Sequence, residues 1–229
     1  MKRLWYTVLT DIQLQWRNGF YAVMGITLFF WVLLRTQAGN WDLNWLMGVF
    51  VIGNILITSF YFIAGLVLLE RDEGTLTAQA VTPLRPWEYL FSKGISLFIL
   101  AFVENLVIVV LYAGFDFNWL VLILGLLLSF LLYLFCGLIM ITRYASINGF
   151  LMPSVLAIGI ITIPVIAYVV HWNHWLLYLH PMQAILMVLN GAFIGQNPSM
   201  WIYGFSYSIL TVIGLSWLAY QVTRDKLYV

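Results

Sequence analysis

Three groups of residues in this chain of 229 could do chemistry. The first centres on Glu104, in "FVENLVIVV", an acid inside a long apolar run. An ionisable side chain at the middle of a membrane-spanning helix costs on the order of 3 kcal/mol unless it is paired or wet. Such an acid can line a cavity, meet a cationic or polar substrate, or gate a path. It can equally be an interhelical hydrogen-bond partner. Asn105 is its neighbour, and Asn54 lies in another apolar run. The second group is His171, His174 and His180. Their spacing could collect a metal or haem, but no carboxylate or Cys joins them. Structural metal sites usually take four ligands. They read as imidazoles beside Trp172 and Trp175 at a membrane interface, and no metal site is expected. The third group lies in "ERDEGTLTAQAVTPLRPWEYLFSK", residues 70–93, where Glu70, Arg71, Asp72, Glu73, Arg85, Glu88 and Lys93 stand among Gly and Pro. No nucleophile with a base and no paired catalytic carboxylates occur in one region, so no enzyme active site is expected.

The elements that must carry these residues are membrane helices. Hydrophobic residues make up 63% of the chain and charged ones 8%, against about 25% charged in soluble domains. So few charges cannot cover a globule, and the class is integral membrane protein. Eleven Trp and thirteen Tyr suit two wet interfaces. A net charge of +1 gives no reason to expect nucleic acid. The single Cys136 excludes an intrachain disulfide. No small-residue cleavage site follows the first apolar stretch, so no cleavable signal peptide is expected.

A spanning helix takes about 20 apolar residues. Six stretches qualify: Gly19 to Leu34, Trp45 to Leu69, Ser92 to Ala113, Asn118 to Thr142, Phe150 to Val170 and Met200 to Val222. The expected fold is therefore all-α, with residues 1–229 forming one transmembrane domain. With the N-terminus inside, inner segments hold Lys2, Arg3, Arg17, Arg71, Arg85, Lys93, Arg143, Arg224 and Lys226, and outer segments hold only Arg35. That asymmetry places both termini in the cytoplasm. Residues 1–17 do not span. Leu4, Trp5, Val8, Leu9, Ile12 and Trp16 repeat at helical spacing, which predicts an amphipathic helix in the inner interface. Residues 171–199 are too apolar for an ordinary loop and too interrupted at His180-Pro181 to span. They read as two short re-entrant helices, broken near Pro181, in the outer leaflet. Gly48, Gly53 and Gly65 permit close helix approach in the second span, and Pro153 and Pro164 kink the fifth.

The charged passage then reads as an elbow over residues 70–86. Gly74 breaks the second helix. Thr75 caps a short helix over Leu76 to Val81. Pro83 stops it, and Pro86 permits the next helix to start. Lys93 snorkels at the start of the third span. A mere return to the membrane needs none of this stiffness, whereas a docking element does; a solvated turn that marks topology is the plainer alternative.

Glu70, Gly74-Thr75-Leu76, Pro83-Leu84, Glu88 and Lys93 follow the pattern E-x-x-x-G-T-L…P-L-x-x-x-E…K. In this the chain resembles the type-2, exporter-type permease subunits of ATP-binding-cassette transporters. The six spans, inner termini, interfacial helix and broken outer helices match over nearly the whole chain. The resemblance implies that the elbow is a coupling helix docking on a nucleotide-binding ATPase subunit, with Glu70, Arg71, Glu73, Gly74, Thr75, Leu76 and Pro83 carrying the contact. It implies a second permease subunit, identical or not. It implies a pathway lined by the second and fifth spans, with Asn54, Ile57, Phe60, Met152 and Ile158 as candidates beside Glu104; packing is the alternative for each. The chain holds no G-x-x-x-x-G-K-[ST] phosphate loop, so ATP and Mg would be bound by the partner, with no cofactor in this chain.

The expected function is a permease in the cell inner membrane that moves a hydrophobic or amphipathic substrate outward: a drug, an antibiotic or a lipid. A haem-export-like or cytochrome-assembly permease is a second transport reading. A membrane protein outside this class, such as a secondary transporter or scaffold, is a third, but it leaves the stiff elbow without a purpose.

Overall fold

The computed structural model describes residues 2–39, 41–75 and 86–227. Those residues form helices and connecting turns, with no strand among them. Helix α1 (Lys2–Arg17) is followed by α2 (Phe20–Ala38). The second span runs through α3 (Met47–Ile55), a π-helical segment (Leu56–Tyr61) and α4 (Phe62–Asp72). Next come α5 (Pro86–Ala113), α6 (Trp119–Ile141), the pair α7 (Ile147–Ile161) and α8 (Ile163–Val169), then α9 (Pro181–Ile194) and α10 (Pro198–Leu227). Five stretches are long and apolar enough to cross a membrane, and α7 with α8 make a sixth if the bent pair is one span. The protein is an all-helical membrane protein.

The second span is the hub. Val51, Ile52, Ile55, Phe60, Ile63 and Leu66 are fully buried, and the span packs against α5, α6 and α9. The fifth span lies beside it. Phe150 stacks on Phe60 at 5.7 Å, and Tyr168 donates its hydroxyl to the Trp45 carbonyl at 2.9 Å. The bend of the fifth span, 54°, falls at Thr162 rather than at Pro153, which sits inside α7. Pro164 has no amide to donate to the preceding turn, so α7 does not run on through it and a new helix starts at Ile163. Thr162 turns its hydroxyl back to the Ile158 carbonyl at 2.8 Å and closes the end of α7.

Helix α1 is amphipathic, but its polar side faces protein. Asp11 and Gln15 are buried against α5, where Gln15 donates to the Ser96 hydroxyl at 2.9 Å. Trp5, Tyr6, Leu9 and Trp16 are exposed. Lipid is the natural solvent for that outer face.

Between the fifth and last spans, Trp175–Leu179 form a 3₁₀ turn and α9 follows. Fourteen residues reach only about 21 Å, too short to span. Yet α9 is buried on nearly every side. Glycines on its neighbours allow this. A Cβ at Gly48 would lie 2.1 Å from Asn190 Oδ1, and one at Gly125 would lie 2.7 Å from a Leu189 methyl. The start of α9 lies well along the last helix, where Tyr207 donates to the Leu179 carbonyl at 2.6 Å. Its end meets the beginning of the fourth span, where the Asn118 amide donates to Ala192 at 2.9 Å.

Candidate functional site

At the elbow the second helix ends in a buried ion cluster. Lys93 Nζ lies 2.5 Å from Glu70 Oε1 and 2.8 Å from Asp11 Oδ1. Tyr89 donates its hydroxyl to the other Glu70 oxygen at 2.9 Å. Asp11, Glu70 and Lys93 are each 3% exposed or less. Three helices thus meet on one ammonium: α1 through Asp11, α4 through Glu70, and α5 through Lys93 and Tyr89. Charges taken out of water hold together only when paired and hydrogen-bonded, and removing one partner strands the others.

Just beyond the cluster the helix of the second span ends. The Gly74 backbone is left-handed, φ 70°, which a side chain would resist. The Thr75 hydroxyl donates to the Glu70 carbonyl at 2.9 Å and closes the helix behind it; the short helix expected over Leu76 to Val81 lies outside the described residues. Glu73 pairs with Arg17 at 2.8 Å across an exposed surface. Arg71 donates to the Tyr144 carbonyl after the fourth span. Asp72 and Glu73 are exposed. The stem of the elbow is therefore clamped on both sides, to the N-terminal helix and to the 4–5 loop.

A second polar site lies within the bundle. Glu104 on α5 is fully buried, and Asn54 on α3 is 2% exposed. Asn54 is the polar side chain that bears on the Glu104 carboxyl group, yet neither carboxyl oxygen completes a hydrogen bond among the described residues. Both polar atoms of the Asn54 side chain are likewise unbonded. Asn105 donates to the Ala101 carbonyl at 2.7 Å and leaves its oxygen free. The π-helical segment begins two residues after Asn54. Thr58 and Ser59 donate to the carbonyls of Asn54 and Ile55 at 3.2 and 2.7 Å. Such segments often occur at functional sites. Orphaned polar groups in a dry interior are costly, which makes this cluster the candidate polar site within the bundle.

The sequence matches the fluoroquinolones export permease protein family over residues 2–228. The chain belongs to that family. Two relatives, both described as fluoroquinolones export permease proteins and drawn from two strains of Mycobacterium tuberculosis, are 32% identical over 168 residues. Each alignment covers 72% of this chain and 71% of the relative. No solved structure matches the chain.

Within this export permease fold, the residues expected at the elbow separate. Glu70 turns its carboxylate inward to Lys93, because a bare carboxylate at a helix end flanked by an ammonium and a phenol is stabilised there. Lys93 is buried by the same pairing and does not snorkel. Arg71, Glu73, Gly74 and Thr75 shape the exposed stem. Leu76 and Pro83 lie outside the described residues. Of the residues expected along the pathway, Asn54 and Glu104 come together. Ile57 is 36% exposed and Met152 79%, while Ile158 is partly buried at the edge of the core. Phe60 is wholly buried, with its ring stacked on Phe150 and its backbone close to Gly137. No group of His, Cys, Asp and Glu among the described residues could hold a metal ion. The parts that Asp11, Tyr89 and Tyr144 play at the elbow escaped the sequence reading, which set Asp11 on the polar side of the first helix and Tyr89 at the membrane interface. One signal was available for the first: Asp11 is the acid on the polar stripe of α1, and Lys93 needed an acid.

Proposed function

We propose that this protein is the membrane-spanning half of an ATP-driven exporter in the cell inner membrane, with both termini in the cytoplasm. The observation that carries this reading is the Asp11–Lys93–Glu70 cluster. It joins α1, α4 and α5 at the root of a stem that projects exposed charge. A force applied to the stem would move three helices together, which is what coupling to a separate ATPase requires. The Lys and Arg asymmetry supports the orientation. Residues 171–199 then form the re-entrant outer segment, closing the outer end around α9.

The relatives are named for fluoroquinolone export, and we assign this chain the same class of cargo: a planar amphiphilic drug. Glu104 and Asn54 are the polar groups that would meet a cationic centre, reached through rearrangement of the second and third spans. The exposed face of α7, with Met152, Val155 and Leu156, would meet a second permease subunit.

The test is purification of the tagged permease in mild detergent from its native membrane, followed by an ATPase assay. We expect activity to copurify and to be lost in the double variant Asp72→Lys, Glu73→Lys, which reverses exposed charge and spares Glu70. Cells bearing the wild type should accumulate less fluoroquinolone than cells lacking it. Absence of copurifying ATPase from several mild preparations would refute the coupling.

A further inference from the structure

We propose that the pocket between α8 and α9, at the end of the bundle opposite the elbow, binds a planar aromatic molecule with a hydrogen-bonding edge. The cavity holds about 300 Å³, at the small end of ligand sites. Its walls are the rings of Tyr168, Trp172 and Tyr178. Its polar groups are His171, Asn173 and Gln183, with no Asp, Glu, Lys or Arg among the lining residues. Recognition there rests on stacking and neutral hydrogen bonds.

The walls are held in place before a ligand arrives. Tyr168 is anchored by its hydroxyl to Trp45. The carbonyl of Tyr178 accepts from the Tyr203 hydroxyl at 2.5 Å, and the two rings pack at 5.7 Å. His171 is the one described residue other than glycine with a left-handed backbone, φ 56°. Such a conformation costs on the order of 1 kcal/mol or more and persists where the surroundings impose it. Here Trp45 stacks on the imidazole at 5.6 Å, and the Trp172 amide donates to Ala167 at 2.8 Å. The turn delivers Trp172 and Asn173 to the mouth of the pocket. The side-chain amides of Asn173 and Gln183 make no hydrogen bond within the described residues, so both edges are open to a ligand. Flat rigid rings and two free carboxamides suit a flat molecule with carbonyl or amine groups on its rim.

This pocket would give the exported molecule a second station, remote from Glu104; only the choice of probe rests on the transport reading. The test is fluorescence-anisotropy titration of norfloxacin against the full-length protein in lipid nanodiscs. We expect saturable binding that weakens roughly fivefold to tenfold in Trp172→Ala and in Gln183→Leu, the worth of one stacked ring or one hydrogen bond. Trp217→Ala, on an exposed face elsewhere, should leave it unchanged. Trp172 is 56% exposed, so its truncation spares the fold. No saturable binding, or binding indifferent to both pocket variants, overturns the site. A parallel drug-accumulation assay separates the two ideas. Export with pocket-independent binding overturns the pocket and leaves the exporter standing. Pocket-dependent binding without export does the reverse.

Discussion

Lys93 is the residue on which the elbow depends. Replacing it by Met would leave the Asp11 and Glu70 carboxylates buried side by side without a counter-ion. We expect a loss of about 3–5 kcal/mol in stability, read as a large fall in unfolding temperature in detergent. Asp11→Asn should cost much less, since Lys93 keeps Glu70 and Tyr89. Equal effects of the two variants would show that the cluster is not centred on Lys93. The exposed Arg17–Glu73 pair is of another kind. Pairs in water contribute little, so Glu73→Ala should leave the unfolding temperature nearly unchanged. His180 offers a pH test. Its Nδ1 accepts from the Met182 amide at 3.2 Å and caps α9, and burial holds its pKa below the ordinary 6.5. The unfolded chain therefore binds more protons than the folded one in that range. The stability is present above pH 6.5 and is lost as pH falls through the lower folded value. The unfolding temperature should drop between about pH 7.5 and about pH 5, and His180→Asn should flatten that drop.

Among the elements, α9 and the second span show how much contact decides. Apolar content and the His180-Pro181 break announce a short helix. They do not announce that Gly48 and Gly125 will let it sink into the bundle, because a glycine's use depends on what approaches it. Gly137 makes the same point for the fourth span. A Cβ there would lie 2.9 Å from the Phe60 carbonyl and 2.8 Å from an Ile63 methyl. Gly137→Ala should cost about 1–3 kcal/mol by overpacking, measured as a lower unfolding temperature. By contrast, Gly53→Ala meets nothing within 4 Å and should be close to neutral, although the sequence reading gives the close-approach role to Gly53 and none to Gly137. The π-helical turn was likewise not legible. Leu56–Tyr61 has no proline or glycine, and its extra residue per turn is accommodated by hydroxyl bonds from Thr58 and Ser59 and by packing on Gly137.

For the whole molecule, the fifth span presents an uncovered apolar face. Met152, Val155, Leu156 and Ile160 are exposed while neighbouring Phe150 and Ser154 are buried. If this face is the seam with a second copy, Met152→Cys in a Cys136→Ser background should cross-link in native membranes at twice the 26.4 kDa chain mass. Leu120→Cys, also well exposed but on the fourth span, should not. Cross-linking at both positions or at neither would remove the seam from α7. The sequence by itself determined the class, the six apolar stretches, the amphipathic first helix and the break at Gly74 after the second span. Each follows from local quantities, hydrophobicity summed over a window and turn residues at fixed offsets, which need no knowledge of neighbours. Only the tertiary structure decided that Glu70 is a buried anchor, that the polar side of α1 faces protein, that Asn54 meets Glu104, and that His171 turns beneath Trp45. Asp11 and Lys93 stand 82 residues apart. Periodicity tells which face a side chain occupies, but what stands opposite that face depends on how the helices pack.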